Sequence, residues 1–303
     1  MSRIVITGAS GAIGMALIDF HLNKGDEVLA ILNPASTKKN NFKKFRNLEI
    51  LFCDLNNYDR ININGKYDIF YHLAWQGGTS RSNINININS CLQSICAAEL
   101  AFNLGCKVFL GAGSQAECGN QNVPISELTI CNPKSAFGIS KLTAYHILKS
   151  KCEELGMSFI WARILSVYGP YDGENTLVIS SIRKMLRGEK AYFSKGDQTW
   201  DFLYSSDTAE LLYLITSNPE SMGIYTIGSG KKIKLKEFIK LMTNKFNIDC
   251  EELLGKIKSS DLTPNYLLAD LTKVNNEISW QPKIDLSEGI DRTIMYCKEV
   301  KLK

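Results

Sequence analysis

The chain has 303 residues, 45% of them hydrophobic and 22% charged, enough apolar material for a large core in one or two domains. A net charge of +4 without a basic block speaks against nucleic acid as a partner and leaves a small polyanion open. Nine scattered cysteines with no Cys-x-x-Cys pair, three histidines, no charged-then-apolar leader and no 18-residue apolar run predict no metal site, no membrane partner and a soluble, cytoplasmic protein with reduced thiols.

The first predicted element is a strand, Ile4-Val5-Ile6, which runs into Thr7-Gly8-Ala9-Ser10-Gly11-Ala12-Ile13-Gly14. Ile13, Ala16, Leu17 and Phe20 then recur at helical spacing, and Gly25 stands where a helix would stop. Strand, glycine turn and helix in that order are a dinucleotide-binding signature. Glycines let a pyrophosphate approach the backbone, and the helix N-terminus offers unpaired N–H groups with partial positive charge. A second strand, Glu27–Leu32, ends at Asn33-Pro34. An acidic residue at that tip would accept from an adenosine ribose and select NAD; the neutral Asn33, followed by Ser36, Thr37, Lys38 and Lys39, leans towards NADP, with NAD or a solvated lysine pair as alternatives. A third strand, Leu48–Phe52, ends at Cys53-Asp54-Leu55, where Asp54 either accepts from an adenine amino group or caps a turn; a short helix follows.

The fourth strand spans 68–73 and delivers Ala74-Trp75-Gln76-Gly77-Gly78, small residues against which a cofactor can lie. Residues 83–89, NINININ, alternate with period two and alone read as a strand. Their place before a helix predicted over 91–104 argues against one, and we read them as compositional drift. A fifth strand over 107–111 precedes Gly113-Ser114-Gln115-Ala116-Glu117-Cys118-Gly119. A helix then enters through Asn132-Pro133-Lys134-Ser135-Ala136-Phe137 and ends near Leu155-Gly156, and a sixth strand over 157–162 is closed by Arg163. This alternation predicts an α/β fold, a doubly wound parallel sheet covered on both faces. Past residue 170 the rhythm changes to helical patches at 176–187, 206–217 and 235–246, a smaller C-terminal lobe closing over the strand ends.

These residues resemble the extended short-chain dehydrogenase/reductases, and among them the NAD(P)-dependent nucleotide-sugar epimerases, dehydratases and 4-ketoreductases. The resemblance runs along nearly the whole chain. It is carried by Thr7-Gly8-x-x-Gly11-x-x-Gly14, Asp54-Leu55, Leu73-Ala74-Trp75, Gly113-Ser114-Gln115-Ala116-Glu117 and Arg163-x-x-x-Val167-Tyr168-Gly169-Pro170. Further on come Gly196-Asp197-Gln198-Thr199-Trp200-Asp201-Phe202, Tyr225-x-Ile227-Gly228-Ser229-Gly230, Asp270 and Trp280-x-Pro282. It implies a Rossmann dinucleotide-binding domain over 1–165 and, over 166–303, mainly a nucleotide-sugar-binding lobe with some segments returning to the sheet. It also implies NAD(P)(H) held by Gly8, Ser10, Gly11, Ala12, Ile13, Gly14, Asn33, Lys38, Asp54, Leu55, Leu73, Ala74 and Lys141. A nucleotide-diphosphate sugar would be held by Gln76, Ser114, Gln115, Asn175, Arg183 and Trp200, and a homodimer would pair two long helices from each subunit. Trp200 stands where many relatives place a phosphate-binding arginine, which suggests stacking or packing there instead. Arg163 is read mainly as a structural ion pair at the lobe junction, and Arg183, Lys184, Arg187 and Lys190 as a mostly solvated face.

Catalysis in the resembled family uses a Ser or Thr, a Tyr and a Lys, the last two spaced Tyr-x-x-x-Lys on one helical face. The phenolate exchanges a proton with a sugar hydroxyl as hydride passes to or from nicotinamide. Ser114 and Lys141 match, and the tyrosine position is Phe137. Tyr145 lies two helical turns away, roughly 12 Å along the axis, and cannot substitute. Three readings follow: an engineered Tyr→Phe form, an enzyme with another acid, or a protein that binds both ligands without turnover. The acidic pair that dehydratases carry after the Ser/Thr is here Gln115 and Ala116, and Glu117 on an extended segment would point away. The expected activity is thus 4-ketoreduction of an NDP-4-keto(-deoxy) sugar, ahead of 4-epimerisation, with a non-catalytic sensor as the alternative of another class.

Overall fold

A computed structural model describes residues 1–38, 42, 45–76, 80–259 and 263–301. The near-continuous apolar runs become the strands of one parallel sheet: β1 (Arg3–Thr7), β2 (Glu27–Leu32), β3 (Leu48–Phe52), β4 (Ile69–His72), β5 (Val108–Ser114) and β6 (Ser158–Ile164). Helices α1 (Ala12–Asn23), α2 (Ile84–Asn103) and α3 (Ala136–Glu154) connect them. Along β1 the side chains alternate between two cores, as a strand buried on both faces requires. Ile4 and Ile6 join the α1 side, and Val5 joins the α2–α3 side.

Beyond β6 the chain forms β7 (Ser166–Tyr168), α4 (Leu177–Leu186), β8 (Thr199–Trp200), β9 (Phe202–Tyr204), α5 (Ser205–Ser217), β10 (Gly223–Ile227), β11 (Ile233–Lys234), α6 (Leu235–Asn244), α7 (Thr272–Glu277) and α8 (Leu286–Lys301). Strand β10 pairs in parallel with β6 and completes a seven-stranded sheet of order β10-β6-β5-β4-β1-β2-β3. Helix α5 packs beside α1 on one face, while α4, α6 and α8 enclose a third core around Tyr168, Phe202 and Phe238. The fold is the doubly wound α/β sheet with a smaller C-terminal lobe.

Three local expectations need correction. Helix α2 begins at Ile84, not at residue 91, and takes in most of the Asn-Ile repeat; Asn83 caps it by accepting from the Ile86 N–H at 3.2 Å. Strand β5 runs on to Ser114 and β6 to Ile164, so Ser114 and Arg163 lie within strands rather than after them. Glu117 is not on an extended segment, because Gln115–Glu117 form a 3-10 turn.

The buried Asp201 carboxylate explains the recurring motifs of the second half. It accepts from Ser229 N and Oγ, both at 2.6 Å, from Gly230 N at 2.9 Å and from Ala269 N at 3.0 Å. A Cβ on Gly228 would stand 2.8 Å from the same carboxylate. Asp201, Ser229 and Gly230 thus weld the lobe together.

Candidate active site

Gly8 adopts φ +67, and a Cβ there would meet Ala74 N at 2.7 Å; one on Gly14 would meet Gly8 O at 2.6 Å. The turn therefore packs backbone against backbone at the ends of β1 and β4, which only glycine permits. The first N–H groups of α1 receive no side-chain cap at Gly11. That leaves a cradle of free donors at a helix N-terminus, which fits a pyrophosphate. Ser10 Oγ accepts from Ser36 Oγ at 3.3 Å. Ala12 and Ile13 open the helix, Leu73 N–H bonds the Thr7 carbonyl at 3.3 Å, and Ala74 N–H donates to Thr7 Oγ1 at 3.3 Å.

From Ala74 the wall continues through Trp75 to the buried Lys141. The Lys141 ammonium donates to the Ala112 carbonyl at 2.7 Å and sits 3.7 Å from the centre of the Trp75 ring. Burial draws its pKa down to about 7, with Glu117 and Cys91 opposing. Trp75 is itself fixed by its indole N–H donating to Asn87 Oδ1 at 2.9 Å. Asn87 Nδ2 in turn donates to the Ser80 and Asn83 carbonyls at 3.0 and 2.8 Å. Phe137, 7% exposed, meets Trp75 edge to face with ring centres 6.2 Å apart, and the Arg81 guanidinium lies 5.2 Å from its ring centre. Tyr145 packs elsewhere, against Phe159 and Trp161.

Ser114 is held from behind. Its N–H donates to Glu117 Oε1 at 2.6 Å, and its Oγ accepts from Ala116 N at 3.2 Å. Glu117 is fully buried; it accepts from Trp161 Nε1 at 3.1 Å and from Arg163 Nε at 3.3 Å. This contact with Glu117 is the structural ion pair expected of Arg163, whose Nη1 also donates to the Ser126 carbonyl at 2.8 Å. Burial raises the Glu117 pKa and Arg163 opposes that rise.

Ser114, Gln115, Trp200 and Arg81 line one cleft of about 480 Å³ together with Asp172 and Thr176. Asn175 and Trp200 line a neighbouring recess of about 390 Å³ with Lys184 and Lys258. Trp200 Nε1 donates to the Pro264 carbonyl at 3.2 Å, and its ring packs on Phe202. Gln76 follows the tip of β4, its N–H on Ser90 Oγ at 3.2 Å.

Other expected residues stand apart from this cleft. Arg183 pairs with Glu174 at 3.0 Å and faces a separate recess beside α8; Lys184 on the same helix lines the recess that holds Asn175 and Trp200. Lys38 donates to the Tyr171 carbonyl at 2.5 Å and to that of Asp172 at 3.1 Å, so its charge is already engaged. Asp54 caps the 3-10 turn Leu55–Arg60 through Asn56 N at 2.9 Å and accepts from Asn33 Nδ2 at 3.0 Å, while Leu55 is buried. Lys39, Gly77 and Gly78 lie outside the described residues.

Arg81 is a part of the site that no motif pointed to, while Trp75 and Glu117 stood in family motifs without a role assigned to them. Glu117 also had a local signal: Ser114-x-x-Glu117 is the spacing of a capping box, which the structure forms.

Fold and site define a dinucleotide-binding α/β protein of Rossmann type. The chain belongs to the NAD dependent epimerase/dehydratase family, whose model matches residues 4–228. It is 27% identical over 310 residues to a putative UDP-glucose 4-epimerase of Methanocaldococcus jannaschii, covering 97% of this chain and 98% of that one. It is 24% identical to a dTDP-4-dehydro-6-deoxyglucose reductase of Escherichia coli, covering 96% of each. Among solved structures, a UDP-N-acetylglucosamine 4-epimerase of Methanobrevibacter ruminantium in complex with UDP-N-acetylmuramic acid superposes with a TM-score of 0.86. It shares 24% identity and covers 99% of both chains. Among the described residues no helix is long and apolar enough to cross a membrane.

Proposed function

We propose that the chain binds a nicotinamide dinucleotide and a nucleotide-diphosphate sugar and acts as a 4-ketoreductase on an NDP-4-keto(-deoxy) sugar. One observation carries this reading. An unbroken wall runs from the glycine turn through Ala74 and Trp75 to Lys141, and Lys141 is bonded to the strand that presents Ser114. Residues 1–165 hold the dinucleotide, with Gly8 to Gly14 on its pyrophosphate. Residues 166–303 mainly hold the sugar nucleotide, with Asn175, Lys184 and Trp200 in the recess. A nicotinamide held at the end of this wall would supply the hydride. The Ser114 hydroxyl holds the reacting oxygen, and the Lys141 charge favours the oxyanion that forms there.

Phe137 has no proton to give, so protonation falls to slower donors and turnover is low. Restoring the hydroxyl in Phe137→Tyr should raise turnover by about 10²- to 10⁴-fold, the usual worth of a placed general acid. The test follows NADH absorbance with a panel of NDP-4-keto sugars, for the chain and for Phe137→Tyr. Steady consumption that is much faster in the Tyr form supports the reading. Tight binding of both ligands with no turnover by either form refutes it.

A 4-epimerase is the second reading, favoured by the Lys38 clasp. It ties the loop after β2 to the loop before α4, an arrangement that would retain a dinucleotide through each cycle, as an epimerase requires. Interconversion of C4 epimers without net NADH consumption would select it. The same clasp occupies Lys38, one of the two lysines on which the NADP preference rests, and that supports NAD(H) over NADP(H). Tighter binding of NADPH than of NADH would reverse that choice.

The subunit is expected to form a homodimer through α2 and α3, which expose Ile88, Leu92 and Ile139. Nine free cysteines support a cytoplasmic setting.

A further inference from the structure

Two thiols meet behind the turn that presents Ser114. Cys118 directly follows the Gln115–Glu117 turn and is fully buried. Cys131 is partly exposed and precedes Asn132-Pro133-Lys134-Ser135, the lead-in to α3. Their sulfurs are 3.9 Å apart. The segments are already joined by the Asn132 N–H on the Cys118 carbonyl at 3.3 Å, and Gln121 Nε2 donates to the same carbonyl at 2.7 Å. Among the described residues no other pair of cysteine sulfurs makes such a contact.

The two thiols are not equivalent. Arg163 Nη2 points at Cys131 Sγ from 3.4 Å. A guanidinium against sulfur favours the thiolate. The Cys118 hydrogen bond, aided by Arg163, draws the Cys131 pKa down although burial opposes it, and raises that of the Cys118 thiol. The nearby Glu117 carboxylate works against a thiolate, but Trp161 and Arg163 already engage it.

We propose that Cys131 and Cys118 form a hydroperoxide-reactive dithiol, with Cys131 attacking and Cys118 resolving. The Cys131 sulfur attacks the outer peroxide oxygen. An S–O bond forms, the O–O bond breaks, and the departing oxygen takes up a proton to leave as an alcohol, or as water from hydrogen peroxide. The Cys118 sulfur then attacks the Cys131 sulfur. The S–S bond forms, the S–O bond breaks, and the hydroxyl leaves with the Cys118 proton as water. Two thiols lose two electrons, and one hydroperoxide gains them. The sulfurs must approach to about 2.05 Å, a closure of roughly 2 Å. The resulting bridge fastens the Ser114 turn to the lead-in of the helix that carries Phe137 and Lys141. Cellular thiols restore the reduced form.

The test treats the reduced full-length chain with limiting hydrogen peroxide, alkylates the remaining thiols and cleaves after glutamate. Cleavage at Glu117 and Glu127 separates the two cysteines. The expected result is loss of two thiols, with peptide 118–127 joined to the peptide that begins at residue 128 and released by a dithiol reductant. Oxidation should be about 10-fold faster than at any other cysteine. In Cys118→Ser, a sulfenic-acid probe should label Cys131. Oxidation elsewhere first, no joined peptide, or no labelling of Cys131 in that variant overturns the proposal.

Discussion

Lys141 and the buried histidines show how burial sets charge at single residues. His72 lies between Thr7 Oγ1 and Ser94 Oγ, both at 3.0 Å, and burial lowers its pKa to about 3. His21, between Asp26 and Tyr71, is lowered by burial too, with its hydrogen bond to Asp26 opposing. Between about pH 3 and 6.5 the unfolded chain binds a proton at residue 72 that the folded chain refuses. Stability therefore rises with pH through that window and is lost as pH falls below about 6.5. Melting temperatures at pH 7.5 and pH 5 should show the drop, and His72→Gln should reduce it. An unchanged slope in the variant would remove His72 from the account.

At the scale of elements, α2 is the instructive case. Its first turns bury Asn87 and leave Ile84 and Ile88 exposed, the reverse of a hydrophobic face. The reason is the site: Asn87 is needed to hold Trp75, and Trp75 to hold Lys141. Asn83→Ala removes the cap and should cost about 1 kcal/mol in denaturant unfolding; no change would mean that packing alone starts the helix. The sheet was legible because its strands are apolar on both faces, and the glycine turn because backbone contacts admit no Cβ. The onset of α2 was not legible, because period-two spacing reports strand only where the apolar residues are the buried ones. Glu117 was misplaced for a related reason. Alternation holds only while the chain is extended, and here it turns immediately after Ser114. Ser114, Lys141 and Phe137 came from the family resemblance that their motifs carry, and Trp75 stood in such a motif without a role; Arg81 stood in none, because a tertiary approach rather than a sequence interval brings it to the Phe137 ring.

On the scale of the whole molecule, two features organise the chain. The Asp201 node holds the C-terminal lobe in place beside the strand ends, and β10 sews that lobe into the sheet. On the far side, Ile88 and Leu92 lie one turn apart on α2, with Leu92 57% exposed. If this face joins two subunits, Leu92→Glu should shift the sedimentation coefficient from dimer to monomer while the melting curve keeps its cooperative form; an unshifted dimer would place the interface elsewhere. The most direct measurement is a crystal structure with NADH bound. The predicted result is a pyrophosphate on the free N–H groups at Ala12 and Ile13, with the nicotinamide ring at the end of the Trp75–Lys141 wall beside Ser114. A dinucleotide bound away from the Gly8–Gly14 turn, or a nicotinamide remote from Lys141, would contradict it.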